Sequence, residues 1–205
     1  FQIKAVSAIE EELDRILKTR KQSRIQTIAD MVIRNYGHLD EKINFYQNLR
    51  SLEDYVSRHS LNVAILCAMI THVMNIRREE QYHTVCAALL HDMGKLKKHD
   101  DVYFGAPYSR EDAIRNCETQ EEAYSVIEDA FATEGPAIRR ICQQAAGKQL
   151  DLFPEEGKES RYKMLEGSNV LLGANRYDAI TAMTLQGTAQ AEVKAAQELL
   201  EHPEV

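Results

Sequence analysis

The sequence predicts an all-α domain, a globular array of about eight or nine helices. Three observations lead there. Apolar residues recur at three- and four-residue spacing along most of the chain. No stretch alternates apolar and polar residues in the manner of a half-buried strand. Two central segments are apolar on nearly every face, which suits helices buried in an array better than helices of a two-stripe bundle.

Taken in order, Val6, Ile9, Leu13 and Ile16 form a stripe with charged residues between them. Such a stripe fits a helix lying on its own domain as well as a short coiled-coil seam. Residues 1–40 are therefore read as an N-terminal helical segment, a coiled-coil linker being one form of it, and residues 41–205 as the main domain. A helix is expected over 25–36, ending near Gly37, and a third over 41–56. "RHSLNVAILCAMITHVMNI" and "EEQYHTVCAALLHDM" are the two buried helices, with Gly94 placed to end the second in the left-handed conformation. "KKHDDVYFGAPYSRED" reads as a loop broken by Gly105 and Pro107, and Ser109 to Asp112 as a helix start. Helical spacing resumes over 110–132 and 136–146, "GKQLDLFPEEGKES" is a polar loop, and "KMLEGSNVLLGANRYDAITAM" and "AEVKAAQELLEH" give two more helices.

At 205 residues the chain is long enough for one large domain with a substantial core. Its formal net charge of −7 argues against a basic surface for duplex nucleic acid. No run approaches the ~20 apolar residues of a membrane span, and no signal peptide is visible, so a cytoplasmic protein is expected. Cys67, Cys86, Cys117 and Cys142 show no CxxC spacing and read as reduced thiols. The start at Phe1 suggests a piece of a longer chain.

Chemistry concentrates at His59, which opens one buried helix, and at His91 and Asp92, which close the next. If the two helices are antiparallel neighbours, the three side chains converge. Imidazole nitrogens with a carboxylate are a usual ligand set for Fe, Mn, Zn or Ni. On spacing alone a second reading stands level with this one: His91 and Asp92 cap the helix and bond its last carbonyls. His83 is ~12 Å from His91 along a straight helix, too far to share its metal. His72 is similarly remote from His59, and His38, His99 and His202 read as loop or terminal residues.

"DYVSRHSLNVAILCAMI" followed by "AALLHDMGK" resembles the HD superfamily of metal-dependent phosphohydrolases, and within it the HD-GYP branch, whose active members hydrolyse cyclic di-GMP. "NVLLGANRYDAITA" is similar to the family's late helix, with Asn175 where the family has an aspartate. The resemblance runs from about Leu52 to Met183 and implies the same all-helical fold. It makes His59, His91 and Asp92 metal ligands, with Asn175 as a fourth, and gives Asp92 and Lys95 the catalytic roles. Lys95 takes the place of the lysine that faces the substrate phosphate, while Lys97 and Lys98 read as solvated cations. The implied cofactor is one divalent metal, Fe, Mn or similar. The implied partners are a cyclic dinucleotide or other phosphate ester, an upstream sensor or receiver domain, and a second copy of the chain.

The sequence also departs from the family. The next histidine falls at Thr119, and the double histidine with its glutamate at Gln143, Gln144 and Ala145. The GYP signature is echoed only by Phe153-Pro154. Amide and hydroxyl oxygens are weaker ligands than imidazole or carboxylate, so a centre of two or three metals is not expected. Three readings follow. The first is a catalytically impaired HD-GYP-like output domain that acts by binding or dimerisation. The others are an active one-metal phosphohydrolase and a ligand-free helical interaction domain.

Overall fold

The computed structural model describes residues 1–22, 24–40, 49–50, 54–97, 109–148, 163–181, 183–184 and 200. Eight α-helices lie among them: α1 (Gln2–Thr19), α2 (Ile25–Tyr36), α3 (Tyr55–Val73), α4 (Arg78–Leu90), α5 (Arg110–Tyr124), α6 (Ile127–Phe131), α7 (Gly135–Lys148) and α8 (Glu166–Thr181). The fold is all-α, as the spacing predicts. None of the helices among the described residues is long and apolar enough to cross a membrane.

α3 is the axle. It is buried on almost every face and packs most extensively on α4, with α8, α1 and α2 around it. Of the α1 stripe, Ile9, Leu13 and Ile16 are buried within this same core and Val6 packs partly buried against it, with Ala5 buried beside them. α1 also buries Glu12. Its carboxylate accepts the Arg24 backbone N–H at 3.0 Å, just ahead of α2, so a buried charge is offset by a helix N-terminus that needs an acceptor. α2 turns Ile25, Ile28, Ala29, Val32 and Ile33 inward and stops at Gly37, as its pattern indicates. Ser109 caps α5, its hydroxyl accepting the Asp112 N–H.

Several expectations need correction. Leu49–Arg50 is a strand, β1, paired in parallel with Met183–Thr184, β2, and α3 begins only at Tyr55. A two-residue ladder is too short to leave an alternation in sequence. The rest of the helix expected over 41–56 lies outside the described residues, apart from Asp54 and Tyr55–Val56. The single helix expected over 110–132 is broken at Ser125–Val126 into α5 and α6, where the Ser125 hydroxyl bonds back to the Glu122 carbonyl. Gly94 does not end α4 in a left-handed conformation. α4 stops at Leu90 with His91 still helical, and Gly94 sits within a following 3-10 turn, Met93–Lys97. Its glycine is required by proximity instead: a Cβ there would lie 2.5 Å from Gln120 Oε1 and 2.9 Å from the Thr119 carbonyl. The helix expected at 191–202 lies outside the described residues apart from Leu200.

Cys67, Cys86 and Cys142 are buried free thiols, and Cys117 is half-buried. Burial pushes the Cys86 thiol up to about 12 and the Cys117 thiol up to about 11, so both stay protonated at neutral pH.

Candidate metal centre

The start of α3 lies beside the end of α4, and α8 crosses both. Gly167 permits the close approach of α8 to α4, since a Cβ there would fall 2.4 Å from Thr84 Oγ1. Four side chains meet at this junction. His59 comes from the second turn of α3, His91 and Asp92 from the end of α4, and Asn175 from α8. His59, His91 and Asp92 are all buried, and each can present a ligand atom within 4.8 Å of the others.

Hydrogen bonds fix which atom each ring presents. Asp178 Oδ2 lies 2.6 Å from His59 Nδ1, and Asp178 Oδ1 accepts from Asn62 Nδ2 at 3.0 Å. A carboxylate accepts only, so His59 carries its proton on Nδ1 and turns Nε2 to the junction. His91 Nδ1 donates to the Ala88 carbonyl at 2.8 Å, so its Nε2 also faces inward. The backbone beneath the ring is held as well, because Tyr124 Oη donates to the His91 carbonyl at 2.5 Å. Tyr55, one turn before His59, stacks on that ring at 5.4 Å between centroids.

The inward-facing atoms are therefore all acceptors. His59 Nε2 and His91 Nε2 stand 3.2 Å apart. Asn175 Oδ1 is 2.9 Å from His59 Nε2, Asp92 Oδ2 is 3.5 Å from it, and Asp92 Oδ1 is 3.8 Å from His91 Nε2. Lone pairs packed so closely need a cation between them, either a proton or a metal ion. Burial drives the His91 imidazole down to about 4, against the pull of Asp92, so this ring is neutral near pH 7 and its Nε2 lone pair is free. Burial also opposes the Asp92 charge. Lys95 overrides it, with His91 and His59 adding to the effect, and the carboxyl is held well below the usual range. Two imidazole nitrogens, one carboxylate and one amide oxygen fit a single divalent ion such as Fe, Mn, Zn or Ni.

Asp92 already has two partners. Lys95 Nζ donates to Oδ2 at 2.6 Å, and Gln120 Nε2 donates to Oδ1 at 3.3 Å. Gln120 is buried, and its Oε1 accepts the Gly94 N–H at 2.9 Å. On this stretch of α5 it is Gln120, the residue after Thr119, whose side chain reaches Asp92. Helical spacing carried the signal, since Ala113, Gln120, Ala123 and Tyr124 form the buried face of α5 and Thr119 is not on it. Gln143 and Gln144 do not reach the centre. Gln143 Nε2 donates to Glu121, and Gln144 Oε1 accepts the Leu165 N–H and the Ser168 hydroxyl at the start of α8. His83 pairs with Glu134, and His72 and His38 are exposed. His99 and His202 lie outside the described residues, as do Lys98 and Phe153-Pro154.

Asp178 and Asn62 were not assigned to the site from sequence. Asp178 lies three residues beyond Asn175 on the same face of α8, and that spacing was the available sign.

A helical array that buries two histidines and an aspartate at a three-helix junction is of a class whose centre could hold a metal ion. The model of the HD domain family matches residues 56–169, more than half of the chain, and the chain belongs to that family, one of metal-dependent phosphohydrolases. The match takes in His59, His91, Asp92, Lys95 and Gln120 but stops before Asn175 and Asp178, whose place at the centre rests on geometry. Comparison with curated proteins and with solved structures gives no match.

Proposed function

We propose that this protein is a single-metal HD module of HD-GYP type that binds a cyclic dinucleotide or a similar phosphodiester, with hydrolysis impaired, and serves as a signalling output domain. The observation that carries this reading is the convergence of four acceptor atoms, two of them imidazole nitrogens whose tautomers are fixed by Asp178 and Ala88. Asp92 supports one metal rather than two. Its Oδ1 receives a Gln120 amide held in orientation by the Gly94 N–H, so the second carboxylate oxygen is occupied by a donor.

His59, His91, Asp92 and Asn175 would hold the ion. When bound, such an ion supplies Lewis acidity toward a phosphoryl oxygen and makes a water molecule more acidic. The chain does the rest: Asp178 keeps His59 in register, Tyr124 fixes the end of α4, and Lys95 supplies a positive charge beside the reacting phosphate. Impaired hydrolysis follows from Asn175 and Gln120, uncharged groups where a stronger ligand would bind more tightly.

The test is metal content per chain after reconstitution with Fe(II) or Mn(II), together with titration by a cyclic dinucleotide with and without metal. About one metal per chain, metal-dependent nucleotide binding and no turnover are expected. Absence of metal in the reconstituted wild type would overturn the reading. A second reading, an active one-metal phosphohydrolase, is favoured by the intact grouping of His59, His91 and Asp92. Hydrolysis of a generic phosphodiester with Mn(II), lost in Asp92→Asn, would establish it instead.

A further inference from the structure

Arg176 of α8 is a cation whose needs the fold leaves unmet. Both terminal nitrogens of its guanidinium are buried, and neither has a hydrogen-bond partner among the described residues. Burial lowers its pKa, and no carboxylate among the described residues acts in the other direction. A buried charge without a counter-charge is costly, and a guanidinium cannot give up its proton to escape that cost. Other arginines of the chain meet carboxylates: Arg20 meets Asp129, Arg58 meets Asp54, and Arg139 meets Glu121 and Glu128.

The face that Arg176 occupies is not that of the metal centre. Around the helix it is turned about 100° from Asn175 and about 200° from Asp178. It shares its face with Asn169 and Gly173, at the i, i+4, i+7 spacing of one helix side. A Cβ on Gly173 would meet no atom within 4 Å. Gly94 and Gly167 are explained by crowding neighbours, and Gly173 is not. A glycine in mid-helix lowers helix stability, so this one needs another reason. What it supplies is room, one turn before Arg176 and on the side toward which helical side chains lean. Asn169 is exposed and brings an amide to the far edge of that room. Gly173 and Arg176 lie beyond residues 56–169, so the family model does not account for the arrangement.

We propose that Arg176, with Gly173 and Asn169 beside it, forms an oxyanion site on this second face of α8, taking a phosphate or carboxylate group of a small molecule. Two oxygens of such a group match two parallel N–H donors of the guanidinium fork. A small molecule suits the site better than a protein surface, because the donors are buried and cannot meet a flat partner. The site is independent of the metal reading.

Thermal unfolding tests it, for wild type, Arg176→Met and Gly173→Leu, in sodium chloride, inorganic phosphate and acetate at matched ionic strength. General salt effects, and any anion held at the metal centre, are common to all three proteins. Phosphate or acetate should raise the wild-type Tm by about 5 °C more than that of either variant. The anion that does so identifies the group bound. In chloride, Arg176→Met should melt no lower than wild type, because an apolar chain of similar length replaces an uncompensated charge. Gly173→Leu keeps the charge and fills the room, with helix propensity in its favour. Equal anion shifts in the three proteins would overturn the site. A lower Tm of Arg176→Met in chloride would overturn it too, by revealing that the guanidinium already has a partner within the chain.

Discussion

The centre has two walls, and they are built differently. The wall of α3, α4 and α8 presents groups that are each oriented from behind: His59 by Asp178, His91 by Ala88 and Tyr124, Asp178 by Asn62. On the other side only the Gln120 amide of α5 reaches the centre, the α7 amides lie behind it, and their hydrogen bonds are largely used up among neighbours. Gln120 is tied to Gly94, Gln143 to Glu121 and Gln144 to the start of α8. A metal ligand needs a free lone pair aimed inward and a partner that holds it there. The first wall supplies both, and the second supplies neither.

Substitutions on the first wall should have the largest effects. His91→Ala removes one of two imidazoles and should reduce bound metal from about one per chain to none, measured by elemental analysis. Asp178→Asn keeps the shape behind His59 but removes the charge that fixes its tautomer. Metal affinity should fall by ~10–100-fold, with Asp178→Glu recovering part of it. Asn175→Asp should act in the opposite direction, raising affinity by about tenfold or more through a charged oxygen in place of an amide.

Acid should separate the walls as well. The folded His91 pKa is depressed to about 4 by burial, against an unfolded value near the ordinary 6.5. The unfolded chain therefore binds the proton first. The metal-free protein should lose stability as pH falls from about 6.5 to about 4, visible as a falling Tm, and a His91→Gln variant should lose less over the same window. The smallest effects belong to the second wall. Gln143→Ala should change metal affinity less than twofold. Gln144→Ala should do the same while costing about 1 kcal/mol of stability, because two donors at the start of α8 lose their acceptor.

What could be read in the sequence follows the same division. α2, the Ser109 cap and the meeting of His59 with His91-Asp92 were legible because each is written in local spacing or in adjacent residues. Gln120 is marked in the sequence only by the buried face of α5, which it shares with Ala113, Ala123 and Tyr124 and which Thr119 does not join. Asp178, one helical turn beyond Asn175, reads from the sequence as a nearby residue of structural role, because its partner is far away along the chain and residue type alone does not separate a structural aspartate from one that steers a histidine. The β1–β2 pair and the break between α5 and α6 escaped because two residues carry no periodicity. Gly94 was identified as special for the wrong reason: it accommodates a neighbouring side chain and carbonyl, not a left-handed turn.

The bond from His59 to Asp178 spans 119 positions of the chain, and that from His59 to Asn175 spans 116. Contacts so distant form late in folding, because a long loop must close before they give anything back. A chain emerging from synthesis holds His59, His91 and Asp92 well before α8 exists to set the His59 tautomer. If the centre takes a metal ion as proposed, tight uptake would mark the moment at which α8 has docked. The ion would then act as a seal on the junction of α3, α4 and α8, and a chain without α8 in place would have little hold on it.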